Sequence, residues 1–334
     1  MTTAAVRHVK RMRGGAQSHL MQGEDGHYYV VKFRNNPQHQ RVLANEFLAT
    51  KLAEHIGLPV PSAQIIEVSS QLIADTAELT VVLGNQQITC EAGLHFGSRY
   101  AVNPAEGQVF DYLPSEALAR VRNLDTFAGI LALDKWTCNV DGRQVAFWRK
   151  LRDKKYSAVF IDQGYCFNAG EWTFPDFPLR GVFPKNEVYS GVRGWDSFEP
   201  WLTRIEELEE ECVWQAAGEI PPEWYGAAWS ELEALVDKLL ARRRLVRDLI
   251  SAFRHSPRQP FPEWKDDDRP WPVGGKLAPA KSQKNGRFAH LPRKPYAGAE
   301  SSGKQSKSPA DLAGVLVHPP RHQCEFDNCR AIGQ

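Results

Sequence analysis

Residues 18–61 read SHLMQGEDGHYYVVKFRNNPQHQRVLANEFLATKLAEHIGLPVP, and their pattern decides the fold class. Two short apolar runs flank GEDG, and a Gly-containing turn between such runs predicts a β-hairpin. Past Pro37 the period changes. Val42, Leu43, Phe47, Leu52 and Ile56 recur at helical spacing, Gly57 supplies a C-terminal stop, and Pro59 and Pro61 forbid continuation. A hairpin ending near Lys32 therefore feeds a helix that carries Glu46. An ammonium in an apolar strand is costly unless paired, and Glu46 is the carboxylate placed to pair with it and fix its aim. Taken alone, Lys32 also reads as a lysine snorkelling from a strand edge, and Glu46 as an ordinary exposed helix position.

Upstream of the hairpin lies MRGGAQS, with Gly14 and Gly15 where a strand pair would close. Neither has a Cβ, so backbone N–H groups there can approach a phosphate closely. Downstream, AQIIEV, LTVVL and QQITC read as short strands, with GN as a turn. Past Pro114 the character becomes helical. PSEALARV and NLDTFAGILALDKW predict helices, VDGRQVAFW and YSAVFIDQG a strand pair, and WSELEALVDKLLARRRLVRDLISAFR one long amphipathic helix. Strands first and helices second predict an α+β chain with a β-rich N-lobe (about 1–112), an α-helical C-lobe (113–255) and a cleft between them.

From Ser256 the composition shifts, and residues 256–334 hold half of the 22 prolines among many Lys, Ser and Gly. Such a segment buries too little apolar surface to offset its ordering entropy, which predicts a disordered tail. His322, Cys324 and Cys329 within it match structural zinc spacings poorly. The net charge of +1 provides no global basic field for nucleic acid, and Asp and Glu interrupt the basic tail. No run approaches the roughly 18 apolar residues of a membrane span. The N-terminus lacks a signal-peptide apolar core. Six scattered cysteines without CxxC suggest reduced thiols and a cytoplasmic protein.

Residues 131–148, LALDKWTCNVDGRQVAFW, put Asp134 five residues ahead of Asn139 in a short loop. A carboxylate and an amide beside a hairpin can hold a nucleophile and a metal. Phosphoryl transfer asks for such parts: a Gly-rich loop and a lysine on the phosphates, an acid and an amide on metal, and a base at the nucleophile. Gly14, Gly15 and Lys32 supply the phosphate side. Asp134 is placed to accept a hydroxyl proton, Asn139 to ligate one metal, and Asp162, in VFIDQGYCF, to ligate the nucleotide-bound metal. Turn chemistry is the alternative for Asp134 and Asn139. Asp162 follows a strand of buried character, where a carboxylate needs a partner or a metal. Asp141 and Gly142 read as hairpin formers.

These segments, RGGAQSHLM, YYVVKFRNNPQHQRVLANEFLATKLAEHIGLPVP, LDKWTCNVDGRQ and FIDQGYCF, resemble the HipA-like kinases over roughly residues 10–250. That family is a bacterial branch of the protein-kinase-like fold, with affinity to the phosphoinositide 3-kinase group. The resemblance implies a bilobal kinase fold, ATP and Mg²⁺ as cofactors, and a hydroxyl-bearing acceptor, a protein Ser/Thr being favoured over a small molecule or lipid. It sets Asp134 as the catalytic Asp, Asn139 and Asp162 on metal, and Lys32 on nucleotide. Trp136 stands where better-known members carry His, and Asp162-Gln163-Gly164 replaces Asp-Phe-Gly. The chain looks like the shorter, stand-alone branch. A pseudokinase or nucleotide-binding scaffold is the rival reading. Ser18 reads as a turn serine or, by the resemblance, an autophosphorylation site. Trp136 and Gly93 to Tyr100 suit either the nucleotide pocket, the lobe junction or plain core packing.

Overall fold

Successive Cβ atoms along a strand point to opposite faces, and Tyr29 and Val31 of the hairpin turn inward on that period, into an apolar interior. The computed structural model describes residues 2–102 and 106–265. In chain order its elements begin with β1 (Thr2–Arg11), β2 (His19–Gly23), β3 (Tyr28–Lys32), α1 (Val42–His55) and β4 (Ala63–Val68). They continue with α2 (Ser70–Ala74), β5 (Thr80–Leu83), β6 (Gln86–Thr89), β7 (Gly93–Arg99) and β8 (Gly107–Phe110). The helical half holds α3 (Ser115–Leu118), α4 (Thr126–Trp136), β9 (Gln144–Lys150), β10 (Ser157–Ile161), α5 (Trp201–Glu206), α6 (Glu210–Gly218), α7 (Trp229–Arg242) and α8 (Val246–Arg254). The fold is α+β, with strands gathered in the first half and helices in the second.

Five strands close into a barrel in the order β1-β2-β3-β7-β4. The closing contact is the parallel pair of β1 and β4, from Thr2 opposite Ile65 to Ala4 opposite Glu67. Met21, Tyr29, Val31, Phe33, Ile66 and Val68 fill the barrel side, with Leu79, Val81 and Cys90 packed from the β5–β6 hairpin region. The stretch from Gly93 to Arg99 is the barrel strand β7, hydrogen-bonded to β3 and β4.

Helix α1 is buried almost all round, because it packs on β4 and β7 on one side and on α6 on the other. It belongs to the second, larger core, built around α4, whose residues from Phe127 to Trp136 are all buried. Trp136 lies wholly in this core and donates from Nε1 to the Leu239 carbonyl at 2.8 Å. Strands β8, β9 and β10 form a small antiparallel sheet in which Ile161, just before Asp162, pairs with Gln144.

Two expectations change. The segment from Trp229 to Arg254 is not one helix: α7 stops at Arg242 and a 3-10 turn, Arg243–Leu245, precedes α8. Arg242 turns inward there, its guanidinium on the Trp136 and Lys135 carbonyls and on Asp176. The folded part also runs past the boundary set at residue 255. Phe261 is buried against Tyr189, Phe198 and Phe253, and the Lys265 N–H bonds the Arg193 carbonyl at 3.0 Å. The remainder of the tail, with His322, Cys324 and Cys329, lies outside the described residues. No helix among the described residues is long and apolar enough to cross a membrane.

Candidate active site

Lys32 is the last residue of β3, and its buried ammonium donates to Glu46 Oε1 and, at 2.8 Å, to Asp162 Oδ1. Glu46 Oε2 accepts the Gln163 N–H at 2.9 Å. One barrel strand, one helix and the end of β10 thus meet at a single ion cluster. Burial alone would lower the Lys32 pKa, but the Coulombic pull of Glu46 and then Asp162 outweighs it and raises it. For Asp162 the desolvation penalty is overcome by Lys32, which holds the carboxyl below its ordinary value. Burial pushes Glu46 up. Removing one member of such a cluster leaves an uncompensated buried charge, at a cost of about 3–5 kcal/mol.

The Gly-rich loop lies at the same end of the barrel. Arg11 pairs with His19 and His19 with Val31, so residues 12–18 turn beside Lys32. Gly14 has φ +123°, a left-handed conformation that disfavours a Cβ, and a Cβ on Gly14 or Gly15 would meet nothing within 4 Å. Gln17 fastens the loop to the hairpin, donating to the Val82 carbonyl at 2.8 Å and accepting the Val82 N–H at 2.7 Å. Ser18 is buried.

The second loop leaves the end of α4. Asp134 has no exposed side-chain surface. Its Oδ2 accepts Arg143 Nε at 2.9 Å, and its Oδ1 accepts Arg143 Nη2 and, at 2.9 Å, Asn139 Nδ2. Asn139 is buried too, and its Oδ1 accepts the Asp141 N–H at 3.1 Å. Gly181, at φ +65°, brings its backbone against this turn, where a Cβ would lie 2.8 Å from the Asn139 carbonyl oxygen. Asp134 and Asn139 therefore sit together as the spacing predicts, yet their polar atoms are engaged inside the loop. Arg143 links them to the first cluster, donating from Nη1 to the Ile161 carbonyl at 2.8 Å, one residue before Asp162.

Asp141, read from sequence as a turn former, is the exposed carboxylate of this loop. The Val140 N–H bonds the Tyr165 carbonyl at 3.2 Å, pinning the loop beside the one that follows Asp162. Burial first, then the charges of Asp141 and Asp162, raise the Tyr165 hydroxyl pKa. Arg143 was missed in sequence; its signal is a lone arginine entering an apolar strand, which requires a carboxylate partner.

A family model for HipA-like kinases matches residues 6–248. The chain belongs to the HipA-like kinase family. No curated protein matches it. Among solved structures this HipA-like kinase is similar to the Helicobacter pylori proinflammatory kinase CtkA, at 11% identity over 76% of this chain and 99% of that one, TM-score 0.49. It is similar also to the Golgi casein kinase with Mn/ADP bound, at 13% identity over 77% of this chain and 75% of that one, TM-score 0.42. A third is HipA in the Shewanella oneidensis MR-1 complex with HipB and operator DNA, at 13% identity over 75% of this chain and 65% of that one, TM-score 0.41.

Proposed function

We propose that this HipA-like kinase transfers the γ-phosphoryl group of ATP, with Mg²⁺, to a hydroxyl group, a protein Ser or Thr being the favoured acceptor. The observation that carries the reading is the meeting of Lys32, Glu46 and Asp162 in one buried cluster beside a Gly-rich loop. Lys32, aimed by Glu46, binds the α/β phosphates, and the N–H groups around Gly14 and Gly15 cradle the phosphate chain. Asp162, held ionised by Lys32, is a hard oxygen ligand suited to Mg²⁺. No group of three His, Cys, Asp or Glu among the described residues is arranged to hold an ion. Mg²⁺ binds through one or two carboxylates, phosphate oxygens and waters, and would neutralise charge on the transferring group.

The proton acceptor in this reading is Asp141, which is exposed, in place of Asp134, whose side chain has no exposed surface and is ion-paired with Arg143. The acceptor oxygen bonds to the γ-phosphorus as the bond from that phosphorus to the β–γ bridging oxygen breaks, ADP leaves, and the hydroxyl proton passes to Asp141. Asn139 then serves by orienting Asp141 through its backbone N–H. The same engagement of Asn139 favours the rival reading, a nucleotide-binding scaffold with little turnover, since it occupies one lone pair of the amide oxygen expected on a second metal. Incubation of the purified protein with labelled ATP and Mg²⁺ separates the two: hydrolysis or autophosphorylation, abolished by Asp162→Ala, supports the kinase. Mg·ATP binding without turnover supports the scaffold. Unchanged Mg·ATP binding in both Lys32→Met and Asp162→Ala overturns both.

A further inference from the structure

The segment after β10 adopts a backbone that L-residues avoid. Positive φ occurs at Asp162 (62°), Phe167 (59°), Asn168 (57°), Ala169 (56°) and Trp172 (52°), none of them glycine. Each such residue carries a steric penalty, so a run of them persists only where its surroundings over-determine it. On one side the run is fixed by the α4 loop, with the Phe167 and Asn168 N–H groups on the Thr137 and Cys138 carbonyls at 2.6 and 3.3 Å.

On the other side it is fixed by one side chain of α1. Asn45, with no exposed surface, directs Nδ2 at the carbonyls of Gly164, Cys166 and Ala169, at 2.9, 2.9 and 2.7 Å. Its Oδ1 accepts the Trp172 indole N–H at 2.8 Å. A primary amide alone among side chains of this size offers two N–H donors and an acceptor from one plane. Asparagine is a poor helix former, and here its polar group is spent entirely on a segment more than a hundred residues away. The next residue is Glu46.

We propose that Asn45 is a positioning residue that latches the metal-ligand loop to α1, so that Glu46 and Asp162 reach Lys32 as one body. The proposal rests on the phosphotransferase reading for its kinetic consequence, but the latch itself is testable without activity. Two variants of the full chain decide it. Asn45→Asp is isosteric and replaces the two donors by an ionised acceptor facing three carbonyls. Trp172→Phe keeps an aromatic ring and removes the indole N–H, one bond of the hub, together with part of the buried indole. Thr50→Val, at a buried position of the same helix, is the control.

Hydrogen exchange should quicken across residues 163–172 in Asn45→Asp and Trp172→Phe, including the Gln163 amide that bonds Glu46, and remain unchanged in Thr50→Val. Turnover should fall on the order of tenfold to a hundredfold in Asn45→Asp, with the free Mg²⁺ needed for half-maximal rate raised and Thr50→Val unaffected. Lowering the pH should partly rescue Asn45→Asp, since the protonated carboxyl regains a donor. If Asn45→Asp does not fold, Trp172→Phe carries the test. Unchanged exchange at 163–172 overturns the latch. Faster exchange with wild-type turnover and Mg²⁺ requirement overturns the positioning role. A wild-type protein without nucleotide chemistry removes the kinase reading and leaves the exchange result to stand or fall alone.

Discussion

Asp134 and Asp141 are seven residues apart in one loop and carry the same functional group, yet their surroundings give them opposite parts. Asp134 neutralises Arg143 in a pair with almost no exposed surface. Asp134→Asn leaves the guanidinium buried and uncompensated, which costs about 3–5 kcal/mol of stability. Asp141→Asn preserves the side-chain oxygen that accepts the Gly142 N–H, so its melting temperature should stay at the wild-type value while turnover falls on the order of 10²–10⁴-fold. Denaturant unfolding and a turnover assay on the two variants check both halves. Stable, inactive Asp134→Asn beside active Asp141→Asn would reverse the assignment. The Lys32–Glu46 contact was legible in sequence, because a buried ammonium needs an acid and the next helix offered one. The inward turn of Asp134 was not. A spacing of five residues brings Asp134 and Asn139 together without saying whether they face solvent or Arg143, and that depends on where Arg143 reaches across the sheet.

At the scale of elements, the hairpin of β2 and β3, helix α1 and the β9–β10 pair were legible because each carries a clean period and a turn signal. Strand β1 was not, since most of its ten residues are exposed or half-exposed and its alternation is weak. The break between α7 and α8 was hidden for the opposite reason. Buried Leu239, Val246, Ile250 and Phe253 continue one stripe across the turn, so periodicity cannot register it. The barrel makes its own prediction. His19 in β2 is fully buried, donates Nε2–H to the Thr80 carbonyl at 3.2 Å, and takes its second bond from His8 at Nδ1. Burial, and then His8, lower its pKa to about 4. A histidine with a lowered folded pKa contributes stability above its unfolded value near 6.5, and that stability is lost as pH falls toward 4. The loss is on the order of 3 kcal/mol at one unit per 1.36 kcal/mol. Urea unfolding of wild type and His19→Gln between pH 7 and pH 4 should show a shallower decline in the variant, and equal slopes would refute the assignment.

At the scale of the whole molecule, the barrel has its own apolar interior, while α1 lies in the helical core and carries Glu46 into the cluster with Lys32 and Asp162. The helical core is completed by residues beyond the last helix. Phe261 and Trp264 pack on Phe198, Trp264 packs also on Trp195, and Arg258 bonds Asn186 and the Phe183 carbonyl. Composition concealed this, because Pro257, Pro260 and Pro262 give residues 256–265 the same signature as the chain that follows, while two aromatics suffice to anchor them. A chain ending at residue 255 should therefore be markedly less stable than one ending at 265. Loss of Phe261 alone is worth about 3–5 kcal/mol by comparison with buried Phe→Ala changes. A chain ending at 265 should melt with the full-length protein, since residues 266–334 are rich in proline and poor in apolar periodicity. Phe261→Ala in the full chain should reproduce most of the loss. If the chain ending at 255 melts with the one ending at 265, Phe261 does not contribute to the core, and the folded unit ends where composition first placed it.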